Sequence, residues 1–178
     1  TPASVQFDVT VNPENDIPNI VSIPEATAWE DIEYVYQLQV EDVDNDLFYY
    51  NLAVYPDSMV IDSSGRVTWT PLEGIVSSGT IILYVWDKEN PDQSTDMPDI
   101  QTFSIEVIPV NDPPLIISTP AAMATEDVLY SYPVTASDVD GNALTFATTT
   151  LPSWLTLVDN GNGTASLSGT PKNDNVGN

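Results

Sequence analysis

The chain has no histidine and no cysteine, and only three of its 178 residues are basic: Arg66, Lys88 and Lys172. The first absence removes the commonest general base; the second removes disulfides, thiolate nucleophiles and thiolate metal sites. A disulfide-bonded immunoglobulin domain is therefore excluded. No apolar run reaches the about 18 residues of a spanning helix, and no signal-type segment is present, so an exported protein would carry its signal elsewhere. Zinc motifs, phosphate loops and basic aromatic surfaces are also missing.

Against three basic residues stand 27 Asp and Glu, a formal net charge of −24. Such a surface repels phosphate backbones and anionic lipid, which argues against nucleic-acid binding and direct membrane insertion, and it attracts cations. Acidity also serves solubility, so the clustering of the acids has to decide between the two uses. The apolar fraction of 42%, with four Trp, eight Tyr and four Phe, is enough for packed cores.

The sequence repeats itself. Asn15-Asp16-Ile17-Pro18 returns as Asn111-Asp112-Pro113-Pro114, an offset of 96 residues. The same offset carries Glu30-Asp31 onto Glu126-Asp127, Tyr34 and Tyr36 onto Tyr130 and Tyr132, and Asp42-Val43-Asp44 onto Asp138-Val139-Asp140. It also carries Phe7, Val9 and Val11 onto Phe103, Ile105 and Val107. Further on, Thr70-Pro71 matches Thr170-Pro171 at an offset of 100, which places extra turn residues near Asp159–Gly163.

The organisation expected is a last strand of a preceding copy plus linker over 1–14, a complete domain over 15–110, and a second domain over 111–178 that lacks its final two strands. An open sandwich exposes edge strands. The missing strands would come from further residues or from the N-terminal strand of a neighbouring molecule.

Apolar residues alternate with polar ones at Tyr34, Tyr36, Leu38 and Val40 and again at Phe103, Ile105 and Val107, the period of half-buried strands. Strands are expected at 20–23, 33–41, 47–54, 58–62, 66–70, 79–87 and 101–110. Seven short strands in under about a hundred residues indicate an all-β, immunoglobulin-like Greek-key sandwich, here in tandem. The prolines suit edges and turns, and Pro13, Pro18, Pro109, Pro113 and Pro114 should stiffen the junctions.

The run Asn111-Asp112-Pro113-Pro114, Glu126-Asp127, Tyr130-Ser131-Tyr132, Ala136-Ser137-Asp138-Val139-Asp140-Gly141, Leu151-Pro152-Ser153-Trp154-Leu155 and Ser168-Gly169-Thr170-Pro171 resembles the dystroglycan-type cadherin-like repeat. The resemblance covers essentially the whole chain. It implies tandem, calcium-binding, cadherin-like sandwiches of large bacterial surface or secreted proteins. The first copy departs from the pattern, with Ser58 in the place of Trp154, Trp69 in that of Gly169 and Asp46 in that of Asn142.

Calcium takes six to eight oxygen ligands at about 2.3–2.6 Å, supplied by loops able to bend around it. Asp42-x-Asp44-x-Asp46 offers three carboxylates on one short loop, a repulsive arrangement that a cation relieves. The strand between Glu30-Asp31 and Asp42-Asp44 spans roughly 30 Å at about 3.3 Å per residue, so the two groups lie at opposite poles of a domain. With domains stacked end to end, Glu30, Asp31 and Glu73 would meet Asn111, Asp112, Asp138 and Asp140 in a junction site. Asn15, Asp16, Asp42, Asp44, Asp46 and Asp87 would face a preceding domain, and Glu126 and Asp127 a following one. A solvated turn is the bland alternative for any one of these pairs.

Catalysis is not expected. A glycosidase needs two carboxylates across a cleft, and a sandwich of this size offers no obvious one. Trp29, Trp69, Trp86 and Trp154 could stack on sugars where exposed, although aromatics embedded in strands are more often core. The expected function is a calcium-stiffened structural or adhesive spacer at the cell surface or outside the cell, whose partners are the adjacent repeats and a homophilic, glycan or matrix ligand. The alternative is a carbohydrate- or protein-binding module of a surface protein or secreted hydrolase.

Overall fold

The computed structural model describes residues 2–89, 91–92 and 96–177. It divides into two compact units, Thr1–Val110 and Asn111–Asn178. Strands are nearly the only regular secondary structure in both, the exception among the described residues being a single 3-10 turn at Asn173–Asn175.

In the first unit, β1 (Asn19–Ile20) pairs with β4 (Val40–Glu41), and β3 (Tyr34–Gln37) with β7 (Arg66–Trp69), which also pairs with β6 (Val60–Ile61). β3 and β4 are halves of one strand. They are interrupted where the Leu38 amide bonds to the Gly65 carbonyl and the Gln39 amide to the Ser22 hydroxyl. The other layer runs β5 (Tyr49–Val54), β8 (Ile81–Trp86), β9 (Asp99–Phe103), with β10 (Glu106–Ile108) continuing β9 and pairing in parallel with β2 (Thr27–Trp29). The result is an immunoglobulin/cadherin-like Greek-key sandwich.

The seven expected strands are present and shorter, with β1 starting one residue and β9 two residues before the expected limits. β2 is an addition to them: it has no alternation to reveal it, and its order comes from the parallel pairing with β10. Residues 2–18 form no strand, and Val5, Phe7, Val9 and Val11, read from the sequence as strand residues, are 74–86% exposed.

The core joins the two layers. Tyr34, Tyr36, Leu38, Val67 and Trp69 from one pack against Leu52, Ile81, Leu83, Val85, Ile105 and Val107 from the other. The tyrosines keep their polar ends satisfied: the Tyr34 hydroxyl donates to the Glu25 carbonyl, and the Tyr36 hydroxyl lies against Ser22 and Gln101. Burial, helped by Tyr36 and Glu25, pushes the Tyr34 phenol up to about 12. A folded-state value above the unfolded one of 10.0 means stability complete below about pH 10 and lost as pH rises toward about pH 12. Melting midpoints recorded between these limits should fall steadily, and less steeply in Tyr34→Phe.

In the second unit, β11 (Leu115–Ile116), β12 (Tyr130–Ser137), β14 (Thr164–Gly169) and β13 (Thr156–Asp159) form one sheet in that order, the order of β1, β3/β4, β7 and β6. No counterpart of β2, β5 or β8–β10 occurs among its described residues, so more is missing than the final two strands expected from the sequence. Val134, Ala165 and Pro171 are buried, while Tyr130, Tyr132, Leu155, Leu157 and Leu167 are half-buried. The extra residues near Asp159–Gly163 are a turn, closed by Gly161 and Phe146 amides on the Asp159 carboxylate, which they hold below its usual range.

The first copy's departures at Ser58 and Trp69 prove reciprocal. Register pairs Tyr34 with Trp69 in one unit and Tyr130 with Gly169 in the other. Trp69 is buried, its indole donating to the Asp57 carbonyl, whereas Tyr130 meets Trp154 edge-on at 6.0 Å between ring centroids. The indole thus comes from the strand in the first copy and from the preceding loop in the second. Gly169 is required by this exchange, since a Cβ there would lie 1.8 Å from the Trp154 carbonyl oxygen. Gly169→Ala should destabilise the second unit by about 1–3 kcal/mol, read as a lowered melting midpoint in residues 111–178.

Candidate metal centre

At one end of the first unit three segments converge: the approach to β1, the loop after β4 and the residue after β8. The Asp42 carboxylate folds the loop by accepting the amides of Asp44 and Asn45 on Oδ1, at 2.7 and 2.9 Å, the local bond that favours aspartate in turns. That fold presents Asp44, whose Oδ2 accepts the Asp16 amide at 2.9 Å. Asn45 donates to the Asn15 side-chain oxygen at 3.0 Å and to Asp87 at 3.4 Å, and Asn15 also donates to Asp87.

The other oxygen of Asp42, Oδ2, is buried and has no hydrogen-bond partner among the described residues. Asp16, Asp44 and Asp87 accompany it, and among the described residues none of the four forms an ion pair, Lys88 attracting Asp87 only at longer range. Arg66, Lys88 and Lys172 pair with Glu33, Asp96 and Asp127 instead. An orphaned carboxylate oxygen within a set of hard oxygen donors fits a calcium ion.

The second unit repeats part of the arrangement, with no counterpart of Asp87 and no buried unpartnered carboxylate oxygen among its described residues. The Asp112 amide donates to Asp140 Oδ2 at 2.7 Å, Asn142 donates to the Asn111 side-chain oxygen at 2.9 Å, and Asp138 Oδ1 accepts the Asn142 amide at 3.1 Å. The pairs Asn15/Asp16 and Asn111/Asp112 share one further bond, from the asparagine amide to the aspartate carbonyl, at 2.8 and 2.9 Å. Asn142 therefore does the work of Asn45, not of Asp46. Gly141, at φ 75°, adds a residue to the second loop and moves the match from an offset of 96 to 97. Asp46 is exposed beside the cluster, on the wall of a groove it shares with Asp16 and Asp42. Asn45 is the residue that fixed-offset comparison missed, and Asn142 was the signal for it.

Glu30, Asp31 and Glu73 lie together elsewhere in the first unit. A carboxylate oxygen of Glu73 is within 4.8 Å of one on Glu30 and one on Asp31. Glu30 is 2% exposed, and its oxygens accept the Gly74 amide at 2.6 Å and the Val110 amide at 3.2 Å. It therefore ties the end of the unit to the loop after β7. Glu30→Ala leaves both amides without that acceptor and should cost about 2–4 kcal/mol of first-unit stability, measured by denaturant unfolding.

Asp31 and Asp127 share a left-handed backbone, φ 57° and 56°, and each amide donates at 2.9 Å to a proline carbonyl, of Pro71 and Pro171. The sequence pair Glu-Asp thus marks a repeated turn. Glu126 is exposed, and Asp127 carries an ion pair to Lys172 at 2.7 Å.

The He_PIG family model, described as "Putative Ig domain", matches residues 113–178. The match falls in the second unit, whose sheet follows the strand order of one layer of the immunoglobulin-like sandwich in the first. No curated protein matches the chain in sequence. Solved structures similar to it include the endo-fucoidan hydrolase MfFcnA4 from glycoside hydrolase family 107, 21% identical with a TM-score of 0.44, covering 94% of this chain and 26% of that one. The endo-fucoidan hydrolase MfFcnA9 of the same family is 22% identical, TM-score 0.35, over 90% of this chain and 30% of that one. The human desmocollin-1 ectodomain is 15% identical, TM-score 0.40, over 88% of this chain and 34% of that one. The chain spans between 26% and 34% of the length of these proteins.

Proposed function

We propose that each unit binds a calcium ion at the end bearing its Asn-Asp pair, and that the chain is part of a non-catalytic spacer array in an extracellular or surface protein, of the dystroglycan-type cadherin-like kind its sequence resembles. The observation that carries the reading is the buried, unpartnered Asp42 Oδ2 among Asp16, Asp44 and Asp87. Those residues with Asn15, and Asn111, Asp112, Asp138 and Asp140 in the second unit, would hold the ions. Bound calcium would neutralise the carboxylates and tie together segments distant in sequence.

The connection between the units supports the spacer role. Val110 is bonded to Glu30, and Asp112, two residues on, to Asp140. An ion on Asp112 and Asp140 would immobilise the link from the second side, where Pro113 and Pro114 already restrict the backbone. Small-angle scattering with calcium and with chelator tests this. The spacer reading predicts a narrower distribution of dimensions in calcium; identical profiles would refute it.

A further inference from the structure

We infer that Asn162 is a self-modification site: the backbone amide of Gly163 attacks its side chain and converts it to a mixture of aspartate and isoaspartate, while the neighbouring Asn160 is spared. The site belongs to the second unit alone and does not depend on the calcium reading.

The chain has two Asn-Gly pairs, Asn160-Gly161 and Asn162-Gly163, both in the turn between β13 and β14. Such a pair is disposed to react with itself, because glycine has no Cβ to keep its amide nitrogen away from the preceding side chain. In the reaction the Gly163 nitrogen bonds to Asn162 Cγ and the Cγ–Nδ2 bond breaks. The displaced amine takes the Gly163 amide proton and leaves as ammonia. Water then opens the resulting cyclic imide at one carbonyl or the other, which gives aspartate by one route and isoaspartate by the other. Water is the sole co-reactant.

The two pairs have the same composition and different surroundings. The Gly161 amide donates to Asp159 Oδ1 at 2.9 Å, so the nucleophile of the first pair is already committed. The Gly163 amide donates no hydrogen bond among the described residues, although the Gly163 carbonyl accepts the Ala136 amide at 3.3 Å.

The electrophiles differ as well. The Thr164 hydroxyl donates to Asn162 Oδ1 at 2.6 Å. Negative charge develops on that oxygen when Cγ is attacked, so the hydroxyl is placed to stabilise it. The Asn160 side chain acts instead as a donor, through Nδ2 to Thr164 Oγ1 at 2.9 Å and to Ser166 Oγ at 3.5 Å. Its bond to Thr164 polarises the hydroxyl toward Asn162. Asn162 is exposed, which lets ammonia leave and water enter.

The product changes a particular surface. Asn162 and Gly163 share with Asp138 and Asn142 the wall of a hollow of about 360 Å³, so the new carboxylate adds negative charge beside the loop after β12. Isoaspartate also lengthens the main chain of the turn by one methylene.

The test incubates the folded 178-residue chain near neutral pH and follows both asparagines by peptide mapping and mass spectrometry. Chelator is present throughout, so the outcome is separate from calcium binding. Asn162 should convert at least about tenfold faster than Asn160. Guanidinium chloride removes the hydrogen bonds that distinguish the two and should bring their rates within about threefold. Thr164→Val should slow Asn162 roughly fivefold, and Asp159→Ala, which frees the Gly161 amide, should speed Asn160 roughly fivefold. Melting curves confirm that both variants are folded.

Equal rates at the two asparagines of the folded chain would overturn the inference, as would an undiminished preference in denaturant. A folded Thr164→Val chain in which Asn162 reacts as in the wild type would overturn it too. The comparison of folded with denatured wild type needs no substitution, so it stands even where a variant fails to fold.

Discussion

Replacing calcium with chelator should lower the melting midpoint of this chain by about 10–20 °C. An ion present at about a hundred times its dissociation constant adds about 2.7 kcal/mol, and about 1 kcal/mol moves the midpoint of a domain this size by about 4–8 °C. The effect is this large because the cluster is destabilised without the ion. Asp16, Asp42, Asp44 and Asp87 converge without an ion pair among the described residues, and Asp42 Oδ2 is removed from water without a hydrogen bond there. Asp42→Ala should remove the first unit's response while leaving the second unit's, which depends on Asp138 and Asp140. A midpoint unchanged at millimolar calcium would refute the assignment. Differential scanning calorimetry resolves the two transitions.

Trp69→Ala is expected to cost the first unit about 3–5 kcal/mol, the usual penalty for removing a large buried aromatic. Trp69 is 3% exposed, lies opposite Tyr34 and donates to the Asp57 carbonyl. Its loss leaves a cavity at the centre of the sandwich and an acceptor without its donor. Ser58→Trp would not rescue it, because Ser58 sits at φ 66°, a conformation strained for a bulky side chain. Urea unfolding of the wild type, Trp69→Ala and the double variant measures both statements; full rescue would show that the two copies exchange their indole freely.

The strands that carry alternation were legible, because burying one face of a sheet fixes a period of two: Tyr34, Tyr36 and Leu38 are buried as that period requires. β2 was not, since three residues with only Ala28 buried leave no pattern. The acids repeated at a fixed offset lie on corresponding loops of the two units, but the offset does not give their local geometry. Gly141 shifts the second loop by one residue, so Asn45 was passed over in favour of Asp46. Glu30 illustrates a different limit. Its place in a repeated Glu-Asp pair was plain, yet its role as acceptor for Gly74 and Val110 rests on amides 44 and 80 residues away. Trp86 was expected to be core, and its burial agrees; the missing partner of its indole nitrogen is a property of packing alone.

Calorimetric titration of the 178-residue chain with calcium, in about 0.15 M salt to screen diffuse surface attraction, tests the central claim most directly. The account predicts saturable binding with at least one ion for each unit, the first unit's share lost in Asp42→Ala and the second's in Asp138→Ala. Heats that never rise above dilution up to millimolar calcium, or binding that survives both substitutions together, would contradict it.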